Sequence, residues 1–328
     1  MKRINVLLCT LLCIVSVAGM GCKKKPVGGL SGMIRIDGSS TVFPITEAVA
    51  EEFQKVNPGV RVVVGISGTG GGFKRFTVGE TDINDASRPV QEAEGAIAKQ
   101  HHIDYIELPI AFDGISVVVN PKNDFAKNMT TDELKKLWQP QSLVKKWSDL
   151  RPEWPARDIH LYGPGTDSGT FDYFTEVIVG QAKSSRPDYT ASEDDNVLVQ
   201  GVAGDPDALG YFGYAYYQSN QARLTVVAID KGHGAIAPSK ETIEAGTYPL
   251  SRPLFLYVNA TIAKQPAMTK FVDFYLHNAA TLSRAVGYVA LPSDVYELAA
   301  ARFQAGKTGS AFAGGGTAGK MLSELYRK

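Results

Sequence analysis

Two extended apolar runs, far apart along the chain, constrain its fold more than any other feature. Leu108-Pro109-Ile110-Ala111-Phe112-Asp113-Gly114-Ile115-Ser116-Val117-Val118-Val119-Asn120 is the first; Tyr248-Pro249-Leu250 through Leu256-Tyr257-Val258-Asn259 is the second, and both end in Val-Asn. Each reads as a strand passing from one domain to another, so residues 33–112 plus 251–328 are expected to form one lobe and residues 113–250 the other. Two such crossings make a hinge that can open and close a cleft. Elsewhere strands alternate with helices. Ile34 and Ile36 alternate before Asp37-Gly38; Ile45, Ala48, Val49, Phe53 and Val56 then recur at helical spacing; Val60, Val62, Val64 and Ile66 alternate again before a Gly-rich turn and a short helix through Phe73 and Phe76. The expected fold class is α/β, two-lobed, with two hinge crossovers. No repeat of solenoid period is present.

Composition narrows the function. The 328 residues carry 34 Lys plus Arg against 34 Asp plus Glu, which leaves no basic excess to coat a nucleic acid. With 44% hydrophobic residues and no long like-charge block the chain is globular rather than disordered. After Lys2 and Arg3 no charge appears from Ile4 through Gly21, the layout of a secretory signal peptide over residues 1–21. Cys9 and Cys13 lie inside that run and would leave with it. Cys22 follows Ala18-Gly19-Met20-Gly21 and precedes Lys23-Lys24-Lys25, which resembles a bacterial lipoprotein cleavage site with Cys22 as the lipidated residue; Gly19 stands where that pattern has a large aliphatic residue. An uncleaved anchor or plain secretion are the alternatives, and each places the folded part outside the cytoplasm. Residues 22–32, with Pro26 and several glycines, read as a flexible tether. Gly314-Gly315-Gly316 before the amphipathic Met321-Leu322-Leu325 reads as a loose tail. Losing Lys2 and Arg3 leaves 32 basic against 34 acidic residues, so global charge does not attract an anion and any anion recognition must be local.

Three segments share one grammar of strand, Gly/Ser/Thr loop and helix start: Gly38-Ser39-Ser40-Thr41-Val42-Phe43-Pro44, Ser67-Gly68-Thr69-Gly70-Gly71-Gly72-Phe73 and Gly163-Pro164-Gly165-Thr166-Asp167-Ser168-Gly169-Thr170-Phe171. Glycine admits a ligand to the backbone, hydroxyls donate, and the free N–H groups of a helix start favour anions. Any one loop could be a helix cap. Three of them, two before the first crossing and one after it, favour loops that face each other across a cleft. Thr81-Asp82-Ile83-Asn84-Asp85-Ala86-Ser87-Arg88-Pro89 adds an arginine whose fork could hold a tetrahedral oxyanion, the alternative being a solvated surface residue.

The ordered set GSSTVFP, SGTGGGFKRF, DINDASRP, GPGTDSGTFDYFTE and DDNVLVQGVAGDPDALGYFGYAYY resembles the PstS-type phosphate-binding proteins, the extracytoplasmic receptors of phosphate ABC importers, from about Ile34 to Leu298. The resemblance implies a type II periplasmic-binding-protein fold with phosphate at the hinge cleft. It places ligand contacts at Ser40, Thr41, Val42, Ser67, Thr69, Gly70, Ser168, Gly169 and Thr170. Relative to the best-known branch the charges look exchanged: Arg88 stands where an aspartate is usual, and Gly165-Thr166-Asp167 where an arginine is usual. On that basis Arg88 is expected to neutralise the ligand and Asp167 to accept the phosphate proton, with Asp85 a weaker candidate. Sulfate would then leave a buried acceptor unpaired, at about 1–3 kcal/mol.

The expected partners are inorganic phosphate, the membrane permease of an ABC importer and a membrane held through the lipid anchor; no nucleic acid, metal or cofactor is expected, and the chain is expected to be a monomer. A receptor for another tetrahedral oxyanion is the near alternative. A phosphatase or hydrolase using Ser168, with His160 nearby in sequence, is the alternative from another class, although no Gly-x-Ser-x-Gly elbow is present. His101, His102, His160, His233 and His277 lack metal-binding spacing. Gly68 to Gly72 lacks the Lys-Ser/Thr ending of a nucleotide loop. Asp194, Asp195 and Asn196 read as the cap of the following helix, with a supporting role at the ligand as the alternative.

Overall fold

The structure is a computed structural model that describes residues 29–312 and 322–327. Cys9, Cys13, Cys22, most of the tether and Gly314 to Gly316 lie outside the described residues. Twelve strands are present among the described residues: β1 (Gly32–Gly38), β2 (Val60–Val64), β3 (Ile83–Ala86), β4 (Tyr105–Val119), β5 (Asn128–Thr130), β6 (His160–Pro164), β7 (Thr190–Ser192), β8 (Ala208–Gly213), β9 (Thr225–Val226), β10 (Ala228–Asp230), β11 (Ala235–Ile236) and β12 (Ser251–Asn259). The helices in the first part of the chain are α1 (Phe43–Val56), α2 (Gly68–Phe76), α3 (Glu92–Gln100), α4 (Thr131–Trp138) and α5 (Gly169–Phe174). They are followed by α6 (Asp195–Gly204), α7 (Tyr214–Ser219), α8 (Lys240–Glu244), α9 (Pro266–Ala285), α10 (Ser293–Gln304) and α11 (Leu322–Arg327).

One sheet runs in the order β2-β1-β3-β12-β4-β8-β6-β7. β1 pairs in parallel with β2 and β3, β12 is antiparallel to β3 and β4, and β6 is parallel to β7 and β8. β4 joins the two halves. Its residues Tyr105 to Gly114 pair with β12, and Ile115 to Val119 pair with β8. The cores change over at the same places. Ile34, Ile36, Phe53, Leu108, Leu254 and Phe271 belong to one apolar cluster, and Ile115, Val117, Trp138, Trp147, Tyr211 and Leu250 to another. The chain passes between the two clusters along β4 and again at Leu250–Ser251, where β12 begins, and Ala215 and Val289 each pack in the cluster of the other half.

Local sequence explains the elements that position the cleft. Pro44 sits in the first turn of α1, where its missing N–H costs nothing, and Ile45, Val49 and Phe53 recur on its buried face. The glycines expected as a turn before α2 instead lie within its first five residues, Gly68 to Gly72. Each Gly costs a helix about 1 kcal/mol relative to Ala, so packing must demand them. It does: a Cβ on Gly72 would lie 1.9 Å from Asn84 Oδ1 and 2.6 Å from the Gly38 Cα. Phe73 and Phe76 then anchor the helix in a third cluster with Phe255 and Tyr257.

The terminal segment is not a loose tail within α11. Leu322 and Tyr326 are buried against the cluster around Phe255 and Phe312, and the Tyr326 hydroxyl donates to Glu107 Oε1 at 2.8 Å. Glu107, fully buried on β4, also accepts from the Tyr257 hydroxyl at 2.7 Å and the Ala311 N–H at 2.8 Å.

Candidate functional site

The three Gly/Ser/Thr loops converge where β4 and β12 cross. Ser40, Thr41 and Val42 follow β1 and are all buried, Val42 as the residue that starts α1 and Ser40 with its carbonyl accepting from the Tyr216 hydroxyl at 3.0 Å. Thr41 Oγ1 lies 3.2 Å from Thr170 Oγ1, which comes from the opposite lobe. Thr69 Oγ1 lies 3.1 Å from Ser87 Oγ and accepts from the Ser87 N–H at 3.1 Å. Gly169, next to Thr170 in the chain, packs against the second pair: a Cβ there would fall 2.5 Å from Thr69 Oγ1 and 2.6 Å from Ser87 Oγ. Ser168 caps α5, accepting from the Thr170 N–H at 3.1 Å. Gly70 donates its N–H across the cleft to the Asp167 carbonyl at 2.7 Å. Ser67 precedes α2, and its Oγ is buried with no hydrogen-bond partner among the described residues.

Sequence reasoning missed the cation at the centre. Arg252 lies at the start of β12 with its side chain fully buried; its Nη2 donates to Thr170 Oγ1 at 2.7 Å, to Thr41 Oγ1 at 3.3 Å and to Asp113 Oδ2 at 3.0 Å. Nε also donates to Asp113 Oδ2, at 3.2 Å, whereas Nη1 is buried with no hydrogen-bond partner among the described residues. Asp113 is the register partner of Arg252 across the β4–β12 pair. The signal was present in the two crossing runs: each carries one charged residue in its apolar middle, and the two charges are opposite. Burial raises the Asp113 carboxyl above its usual range, against the pull of Arg252 and of the Tyr214 and Gly114 N–H groups. Asp195, at the start of α6 beside its capping neighbour Asp194, is fully buried. Burial pushes its carboxyl up to about 7, although it feels Arg252, and the like charge of Asp113 adds to the rise.

Two placements change the expected charged roles. Arg88 is buried and already committed: Nε donates to Asp172 Oδ2 at 2.6 Å, Nη1 to Glu94 Oε2 at 2.8 Å and to the Pro89 carbonyl at 3.0 Å, and Nη2 to Glu94 Oε1 at 2.7 Å. Four of its five N–H directions are therefore used by the protein itself. Burial opposes its charge, yet Glu94 and Asp172 outweigh burial and hold the guanidinium above its ordinary value. Asp167 lies at the rim with 39% of its side chain exposed, and its two oxygens take Lys74 Nζ at 2.7 and 2.9 Å. Asp85, the weaker candidate, is enclosed on β3 with neither carboxylate oxygen hydrogen-bonded among the described residues, and burial raises its carboxyl well above the usual range. His160 pairs with Asp205 at 2.6 Å, and no histidine hydrogen-bonds Ser168 among the described residues. No group of three or more metal-ligating side chains occurs among the described residues.

Two separately packed α/β bodies joined by two crossing strands, with polar loops from both meeting at the crossing, define a binding protein of the two-lobed periplasmic class. A family model described as a PBP superfamily domain matches residues 24–279. The chain belongs to that superfamily and, within it, to the PstS family. It is 51% identical over 302 residues to Protein SphX of Synechocystis sp., covering 91% of this chain and 90% of that one. It is 39% identical over 269 residues to the phosphate-binding protein PstS of Staphylococcus saprophyticus, covering 81% and 82%. Among solved structures, a possible phosphate binding protein from Planctomyces limnophilus is 49% identical with a TM-score of 0.65, over 85% of this chain and all of that one. A phosphate ABC transporter substrate-binding protein from Clostridium perfringens shares the fold at a TM-score of 0.69 and 23% identity, over 80% of this chain and all of that one.

Proposed function

We propose that this protein is an extracytoplasmic receptor that closes its two lobes on inorganic phosphate and delivers it to an ABC importer. The observation that carries the reading is Arg252: a fully buried cation whose Nη2 touches a hydroxyl from each lobe while Nη1 has no hydrogen-bond partner among the described residues. A buried charge is costly unless it is paired, and Asp113 supplies that pairing from the neighbouring strand. The spare N–H groups of Arg252 and the hydroxyls of Thr41, Thr69 and Thr170 then converge on one small polar region suited to a tetrahedral oxyanion. The relatives named for phosphate binding support phosphate as that oxyanion. Arg252 takes the neutralising role in place of Arg88, and the loop residues Ser40, Thr41, Val42, Ser67, Thr69, Gly70, Ser168, Gly169 and Thr170 supply the remaining contacts. Binding needs no covalent step. The finer parts of the proposal are a lipid anchor at Cys22 and a monomeric receptor; the resemblance of residues 18–25 to a lipoprotein cleavage site supports the anchor.

Calorimetric titration of ligand-stripped protein with phosphate, arsenate and sulfate tests the reading. Phosphate is expected to bind tightly and sulfate much more weakly. Absence of phosphate binding rejects the receptor, and turnover of a chromogenic phosphate ester that is lost in Ser168→Ala would establish the hydrolase instead.

A further inference from the structure

Arg88 is the best-satisfied arginine near the cleft, and its partners come from both lobes. Glu94, at the start of α3, grips Nη1 and Nη2 from the same lobe, and the side chain lies over the Phe73 ring at 5.4 Å. Asp172 reaches Nε from α5 in the opposite lobe, at 2.6 Å, with the Gln91 amide donating to the same carboxylate oxygen at 3.4 Å. The side chains of Arg88 and Asp172 are 6% and 2% exposed, so this ion pair across the cleft is shut off from water. Lobe I thus presents a rigid cationic socket, already neutralised and oriented by Glu94, into which one carboxylate of lobe II fits.

We propose that Arg88 and Asp172 form a closure latch: a positioning pair that sets phosphate affinity through the open–closed equilibrium of the lobes without either residue touching the ligand. Opening separates Asp172 from Arg88 and from the Gln91 amide but leaves the Arg88–Glu94 fork intact, so what Arg88 contributes to closure falls on its cross-lobe bond to Asp172, the most deeply buried ion pair among the contacts that join the loops. A ligand that requires the closed form binds in proportion to the population of that form, so strengthening or weakening the latch scales affinity for every oxyanion alike. This deepens the phosphate reading and rests on it only where affinity is measured.

Hydrogen exchange in phosphate-free protein over residues 68–76 and 168–174, read by mass spectrometry, tests the latch independently of the ligand. In Asp172→Asn, exchange at both segments is expected to accelerate by about tenfold, and phosphate dissociation to accelerate by a similar factor with the phosphate-to-sulfate preference unchanged. Wild-type exchange and wild-type dissociation in that variant would overturn the proposal. A rise in sulfate affinity relative to phosphate would also overturn it, by placing Asp172 on the ligand. Arg88→Lys, which keeps the charge but not the fork, is expected to fall between wild type and Asp172→Asn, and decides the matter if Asp172→Asn does not fold; wild-type behaviour in Arg88→Lys then rejects the latch. If wild type fails to bind phosphate at all, the exchange measurement still reads the latch.

Discussion

Arg252 and Arg88 are both buried arginines at the cleft, both paired with a carboxylate from another strand or lobe, and they differ in what is left over. Arg88 spends its fork on Glu94, Asp172 and a carbonyl. Among the described residues Arg252 has one carboxylate partner, two hydroxyl contacts and an Nη1 with no hydrogen-bond partner. A guanidinium has five donors in fixed directions; protein groups take four of those of Arg88, whereas Nη1 of Arg252 has no hydrogen-bond partner among the described residues. The comparison breaks most directly through Arg252→Gln. This change is expected to weaken phosphate binding by at least a hundredfold, about 3 kcal/mol, because a desolvated charge contact to the ligand is lost. Asp113, whose carboxyl burial already raises, can take up a proton in the variant, so the fold should survive. Calorimetry together with a denaturation curve checks both halves, and near-normal phosphate affinity in a folded Arg252→Gln would remove the cation from the site.

Gly169 lies between the Arg252 cluster and the Thr69–Ser87 pair, so changing it sharpens the contrast between ligand contact and lobe closure. An added Cβ would sit 2.5 Å from Thr69 Oγ1 and 2.6 Å from Ser87 Oγ, which forces those hydroxyls apart when the lobes meet. Gly169→Ala is expected to lower phosphate affinity by roughly ten- to a hundredfold, in line with the 1–3 kcal/mol typical of overpacking. Gly204→Ala is the control, since a Cβ there meets nothing within 4 Å. Equal affinities in the two variants, measured by the same titration, would show that the loops do not approach as closely as described.

Much of this organisation could be read from the residues, and the exceptions share a cause. The α/β alternation follows from period-2 and period-3.6 apolar spacing and the strands β4 and β12 from two long apolar runs, and both signals are local. The polar loops were visible because glycine and hydroxyl residues sit together in sequence. Arg252 does not stand out in the sequence because it lies in a mostly apolar run and its partners are brought in by the antiparallel pairing of β12 with β4, which sets Arg252 beside Asp113. Arg88 stands out in the sequence for its Ser-Arg-Pro context, but Glu94 and Asp172, which take its fork, lie on α3 and α5. The same holds for α11: a short amphipathic segment reads as a tail until Glu107, 219 positions earlier, receives the Tyr326 hydroxyl. The glycines of α2 mislead for the opposite reason, since their propensity argues against a helix that tight packing on Asn84 and Gly38 imposes.

The smallest expected effect belongs to a more exposed ion pair that spans the cleft, Lys74 with Asp167. Lys74 and Asp167 make two short contacts, yet their side chains are 69% and 39% exposed, against 6% and 2% for Arg88 and Asp172. Water competes for both charges throughout, and exposed pairs of this kind are worth about 0–1 kcal/mol. The backbone bond from Gly70 to the Asp167 carbonyl does not need the lysine, so the local approach of the lobes persists without it. Lys74→Ala should therefore change phosphate affinity by no more than about fivefold at low salt, and the change should vanish near 1 M salt, where the screening length is about 3 Å. A salt-insensitive loss as large as that of Asp172→Asn would mean that closure is governed at the exposed rim, and that burial is the wrong criterion for separating the two bridges.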